Sequence, residues 1–114
     1  MIMPGNLHLS LCKAIAKEQI LIAAQNVSAN PMGPYTGEVP ADAIKDYEIN
    51  YVLIGHHERR LLFGEDQAAV TAKCKHAEDC QLNIVYCIGE SQEQREAEQT
   101  EEVVFEQLKA LLDA

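Results

Sequence analysis

Three short apolar runs punctuate the chain: Ile20-Leu21-Ile22-Ala23-Ala24, Tyr51-Val52-Leu53-Ile54 and Ile84-Val85-Tyr86-Cys87-Ile88. Each is nearly continuous, and each gives way at once to a polar residue or a glycine. Strands of a parallel sheet read this way when both of their faces are buried. The runs begin 31 and then 33 residues apart, close to the roughly 30 residues of one strand-plus-helix unit. Met1 to Met3 reads as the stub of an earlier strand.

Helical patterns fill the intervals. Leu7, Leu11, Ala14 and Ile15 recur at i, i+4, i+7 and i+8 and predict one apolar helix face. Pro40 suits the first turn of a short helix through Ala41–Asp46. Ala68, Ala69, Ala72 and Ala77 belong to a helix-favouring stretch from about Asp66 to Asp79. A capping box, Ser91-Gln92-Glu93-Gln94, opens the last helix, whose apolar face is marked by Val103, Val104, Leu108, Leu111 and Leu112. The order (β)αβαβαβα favours right-handed crossovers and a parallel sheet, so the fold class is α/β. A period near 30 also fits helical solenoids, but the strand-like runs and the lack of a repeated signature count against them. The one irregular stretch, Val27 to Val39, holds Asn30-Pro31, Gly33-Pro34 and Gly37 and reads as a long loop.

Composition narrows the function classes. Apolar residues make up 47% of the 114 positions, which argues against wholesale disorder. A net charge of −9, with no basic stripe, excludes the usual nucleic-acid binder. The longest apolar run, Ile20 to Ala24, is far too short to span a membrane, and the first residues lack the pattern of a secretory signal. Cys12, Cys74, Cys80 and Cys87 read as reduced thiols of a cytoplasmic protein. Asn26-Val27-Ser28 fits a glycosylation acceptor, a pattern common by chance.

No metal and no cofactor is expected. Three consecutive residues, His56-His57-Glu58, do not converge easily on one ion, and Cys74, His76 and Cys80 lack zinc-site spacing. No phosphate loop or dinucleotide fingerprint is present.

The residues most suggestive of chemistry are Gly55-His56-His57-Glu58-Arg59-Arg60, directly after the second run. Parallel α/β folds bind ligands at the carboxyl ends of their strands. His56 would lie there, at the start of the next helix, where the positive helix end favours a neutral imidazole able to donate a hydrogen bond to a carbonyl. The alternative is a hydrogen-bonded loop histidine.

Several motifs then stand in a telling order: Ala23-Ala24-Gln25-Asn26, Gly33-Pro34-Tyr35-Thr36-Gly37-Glu38, Leu53-Ile54-Gly55-His56-His57-Glu58-Arg59-Arg60, Phe63-Gly64-Glu65 and Cys87-Ile88-Gly89-Glu90. With Arg95-Glu96-Ala97 and Val103-Val104-Phe105-Glu106-Gln107, the chain resembles the triosephosphate isomerase family from the end of its second strand through its fifth helix. The resemblance implies a single partial (β/α)8 TIM barrel over residues 1–114, about three and a half βα units with a parallel sheet. It implies that His56 polarises the triose carbonyl and that Glu58 orients the site. Asn26 and Cys87 would line or support the barrel mouth. Thr36 would enter a neighbouring subunit, with Glu38, Arg59 and Glu65 in a charged cluster behind that interface. The plainer readings are Arg59 and Arg60 as solvated helix charges, Glu65 as a helix-start residue, and Cys87 as a small buried hydrophobe.

Other family parts have no counterpart in these residues: the lysine of the first strand, the glutamate base after the sixth, and the later phosphate-holding loops. Where the family usually has serine after the catalytic histidine stands His57, and where it usually has glycine after Arg-Glu-Ala stands Glu98. Two functions follow. A completed barrel would interconvert dihydroxyacetone phosphate and glyceraldehyde 3-phosphate, a step of glycolysis and gluconeogenesis, with this chain inactive alone. The alternative is a truncated pseudoenzyme, a structural or interaction subunit. Either way, open sheet edges lead us to expect a protein partner or self-association, and triose phosphate as a ligand only if the barrel is completed.

Overall fold

The computed structural model describes residues 1–114. Strands β1 (Ala23–Ala24), β2 (Tyr51–Ile54) and β3 (Asn83–Tyr86) form a parallel sheet in the order β1-β2-β3. Ala23 stands opposite Tyr51, and Val52 opposite Ile84. The expected stub is present as well. Ile2 bridges in parallel to Ile22, its N–H donating to the Leu21 carbonyl at 2.8 Å while its carbonyl accepts from Ala23 N–H at 3.0 Å. The sheet therefore has four consecutive strand positions, and the fold is the α/β architecture of a partial (β/α)8 barrel.

Helices α1 (Leu9–Ile15), α2 (Ala41–Asp46), α3 (His57–Leu62), α4 (Gln67–Asp79), α5 (Gln92–Glu96) and α6 (Thr100–Leu112) fill the connections. Local chemistry sets their starts. The Asp66 side chain accepts from Ala69 N–H at 2.8 Å, and the Ser91 hydroxyl accepts from Gln94 N–H at 3.2 Å while the Gln94 side chain accepts from Ser91 N–H. Each such cap satisfies backbone donors that a helix N-terminus leaves unpaired.

One cluster of buried side chains holds the elements together. Val52 and Ile54 of β2 pack in a core with Val70, Cys74 and Ala77 of α4, Ile44 of α2, and Ile49 and Leu82 in the turns that precede β2 and β3. Burial pushes the Cys74 thiol up to about 11, so it serves as a neutral apolar filler.

Three expectations change. The continuous apolar runs predict strands buried on both faces, yet β2 alternates: Val52 and Ile54 are buried, whereas Tyr51 and Leu53 stay partly open. Helices cover one face only. In and around α1 the periodicity picks the wrong stripe, because Leu7, in a 3-10 turn before the helix, and Leu11, Ala14 and Ile15 are exposed, while Leu9, Cys12 and Ala16 turn to the core. Both stripes are apolar, and the docking of the helix decides between them. The open surface is measurable: 7759 Å² is accessible, against about 6,200 Å² for a compact monomer of this mass.

The last helix is also two helices. The capping box opens only α5, and the backbone then turns through Ala97–Gln99 before α6 begins. Glu98 sits at φ 59°, in the left-handed region, at the position where the resemblance expects glycine. A Cβ there costs roughly 1–2 kcal/mol, offset in part by the greater chain entropy of an unfolded glycine. Glu98→Gly should therefore stabilise the chain by about 1 kcal/mol. A higher urea midpoint at unchanged slope would bear this out, and an unchanged or lower midpoint would refute it.

Candidate functional site

The parallel register brings the carboxyl ends of successive strands to one rim. Ile54 ends β2, Gly55 turns at φ +80°, and His56 follows as the N-cap of α3. Gly55 is required there. A Cβ on it would lie 2.9 Å from Arg60 Nη2 and 3.1 Å from the Cys87 carbonyl, on a backbone that side chains disfavour. The turn presents the His56 ring at the mouth of an open cavity of about 510 Å³. Met3 comes to the same cavity beyond the Ile2 bridge, Gln25 and Asn26 beyond β1, and Glu58, Arg59 and Phe63 on and beside α3.

His56 Nδ1 accepts from Glu58 N–H at 3.4 Å. Where Nδ1 accepts, a neutral ring carries its proton on Nε2. The Glu58 carboxylate stands 3.6 Å from the same Nδ1, and His57 lies exposed with its ring 4.8 Å from that of His56. The geometry supplies a half-exposed hydrogen-bond donor on a fixed strand end.

Behind this rim lies an ionic cluster. Glu65 Oε1 accepts from Arg59 Nε at 2.7 Å and from Lys73 Nζ, and Lys73 Nζ also donates to Asn26 Oδ1 at 3.0 Å. Burial alone would raise the Glu65 pKa, but the hydrogen bonds and charges of Lys73 and Arg59 outweigh it, so the carboxyl titrates below its ordinary range. Arg59 further rests over the Phe63 ring at 4.5 Å.

The structure thus brings His56 and Glu58 together, and Arg59 and Glu65 together with Asn26. Thr36 and Glu38 lie elsewhere, exposed on the long loop, with Thr36 and Gly37 at the tip of a turn closed by Glu38 N–H to the Tyr35 carbonyl at 3.0 Å. Gly37 at φ +86° fits the third position of a type II turn. Glu38 has no side-chain partner in this chain and stands apart from the cluster. Cys87 follows β3 by one residue, its N–H still on the Ile54 carbonyl at 2.9 Å. Its half-buried thiol is pushed up by burial, against the opposing charge of Arg60.

Sequence reasoning missed Asn6, Gln25 and Lys73, and took Arg60 only as a solvated charge. Lys73 did carry a signal, since it shares a helix face with Val70 and Ala77. Arg60 is far from solvated. Its Nε donates to the Gly55 carbonyl at 2.7 Å, Nη2 to the Cys87 carbonyl at 3.2 Å and Nη1 to Gln67 Oε1 at 2.9 Å.

A model of the triosephosphate isomerase family matches residues 1–114. The chain belongs to that family. It is 42% identical over 112 residues to the triosephosphate isomerase of Paracoccidioides lutzii, covering 98% of this chain and 45% of that one. It is 49% identical over 96 residues to the triosephosphate isomerase of Rhizobium etli, covering 83% and 42% respectively. For that of Acinetobacter baumannii the figures are 45% over 94 residues, 82% and 36%. The chain spans less than half the length of these triosephosphate isomerases. No helix is long and apolar enough to cross a membrane.

The ionic cluster yields a test of sign. A carboxyl held below its ordinary range stabilises fully at neutral pH and loses that contribution as the pH falls through the folded value. Glu65→Gln should destabilise the chain by about 3 kcal/mol at neutral pH, because Lys73 is left buried without its counter-charge. The difference from the parent should shrink as the pH falls below the ordinary carboxyl range. Urea denaturation across that range checks it, and a gap independent of pH would contradict the ionic account.

Proposed function

We propose that this chain supplies the carbonyl-polarising side of a triosephosphate isomerase active site. In a completed barrel it would interconvert dihydroxyacetone phosphate and glyceraldehyde 3-phosphate without a cofactor. The observation that carries this reading is His56: its Nδ1 accepts a backbone N–H, so Nε2–H is left to donate at the strand-end cavity. Moving a proton between neighbouring carbons leaves negative charge on the substrate oxygens, and a fixed neutral donor stabilises that charge.

Glu58 would orient the ring through its backbone N–H, Asn26 would help shape the mouth, and Cys87 would support it beyond β3. Arg59 and Glu65 would brace the strand end, while Thr36 and Glu38, projecting on their loop, would meet a second subunit. The proton-abstracting base and the phosphate-binding backbone would come from outside residues 1–114. The thiols, all unpaired, suit a reducing cytoplasm.

One observation favours a second reading. His57 packs against His56 where the resemblance expects serine, which suits a relative kept as a structural subunit without catalysis.

Isomerase turnover separates the two. The 114-residue chain alone should show none. Mixed with the missing strands of a relative, it should turn over, and His56→Gln should lower kcat by about 100-fold to 10,000-fold. Turnover by the chain alone would overturn the division of labour proposed here. A completed barrel without activity would favour the structural subunit.

A further inference from the structure

Residue His56 works only if its ring is held in one tautomer and one direction, and the bond that holds it, from Glu58 N–H to Nδ1, is long at 3.4 Å. Something else must fix the Cα–Cβ vector first. That vector is set by the two peptide planes that flank His56.

The Arg60 side chain grips the plane before His56, and the first turn of α3 grips the plane after it. Arg60 Nε donates to the Gly55 carbonyl at 2.7 Å, which fixes the plane before His56. The Arg60 backbone N–H donates to the His56 carbonyl at 3.2 Å, alongside Arg59 N–H at 2.9 Å, which fixes the plane after. The same guanidinium reaches the Cys87 carbonyl past the end of β3 at 3.2 Å, so the turn is referenced to the neighbouring strand as well. Nη1 is anchored on Gln67, whose amide donates in turn to the Tyr86 hydroxyl at 2.9 Å. The approach is close enough that only glycine fits at position 55.

We infer that Arg60 is the positioning residue for His56, holding the Gly55–His56 peptide so that the ring keeps its Nε2–H tautomer. A planar fork is needed, because a lysine ammonium cannot span the Gly55 and Cys87 carbonyls together with the Gln67 amide. The catalytic meaning of the inference rests on the isomerase reading, but the geometric claim stands without it.

Ring-nitrogen NMR on the isotope-labelled 114-residue chain tests it, at a pH above the imidazole titration, with His56→Gln identifying the signal. The parent should show a single Nε2–H tautomer at His56. Arg60→Met should reduce the tautomer preference by about tenfold, while the Ser91 and Gln94 capping-box amides stay in place. Should Arg60→Met fail to fold, Arg60→Gly carries the test. Added guanidinium ion at low millimolar concentration should restore its tautomer signal, and ammonium should not. An unchanged preference in Arg60→Met, mixed tautomers in the parent, or no rescue by guanidinium would each overturn the inference. None of these readouts needs turnover. Their failure therefore leaves the isomerase reading standing, and an inactive completed barrel with the tautomer effect intact would sink only that reading.

Discussion

The rest of the molecule depends on β2 lying between two parallel neighbours with its alternate side chains pressed onto α4. Val52 and Ile54 are almost inaccessible, and they meet Val70, Cys74 and Ala77 in the same core. Parallel strands cannot be joined by tight turns, so each connection must run back over the sheet as a helix. That return brings every strand out at the same rim. Met3, Asn26, His56 and Cys87 are far apart in the chain and reach one end of the sheet because the ladder leaves them no other place.

Charge does a different job from packing here. The surface is acidic, yet the positive side chains behind the rim are not spread over it. Arg59 and Lys73 share a single carboxylate, and Lys73 also reaches the end of β1 through Asn26. Arg60 instead directs two donors at main-chain carbonyls and a third at the Gln67 amide. Two neighbouring arginines on one short helix thus hold different parts of the site, one through an acid and one mainly through backbone. Exposed ion pairs contribute little to stability. These partners are mostly withdrawn from solvent, where loss of one leaves the other costly to keep.

The sequence made the element order, the ends of β1 and β2 and the place of the candidate histidine legible, because apolar runs, the capping box and the strand-end rule are local signals. Strand β3 instead stops at Tyr86, two residues short of its apolar run. The strand stub at Met1 to Met3 is legible too, though its partner Ile22 is not. What the sequence hid was set by distant contacts. The helix face of α1 could not be read, since Leu7, Leu11 and Ile15 compete with Leu9 and Cys12 on hydrophobicity alone. The break between α5 and α6 was hidden because glutamate seldom marks a left-handed turn, and only the family pattern flagged position 98. Arg60 looked like any helix arginine, and its partners Gly55, Gln67 and Cys87 become neighbours only after folding. Asn6 gave no local sign of lining the cavity, and Gln25 only its place in a strand-end motif.

The central place of β2 has a consequence for motion. Its backbone is bonded to β1 on one side and to β3 on the other, whereas β3 and the Ile2 stub are each paired on one side only. Opening of the structure should begin at those outer positions and reach the two inner strands last, because local openings cost least where few bonds and contacts are lost. Solvent deuterium would then enter the chain from its rims inward. The stretch from Tyr51 to Gly55, which delivers His56 to the mouth, would be one of the slowest clocks in the molecule.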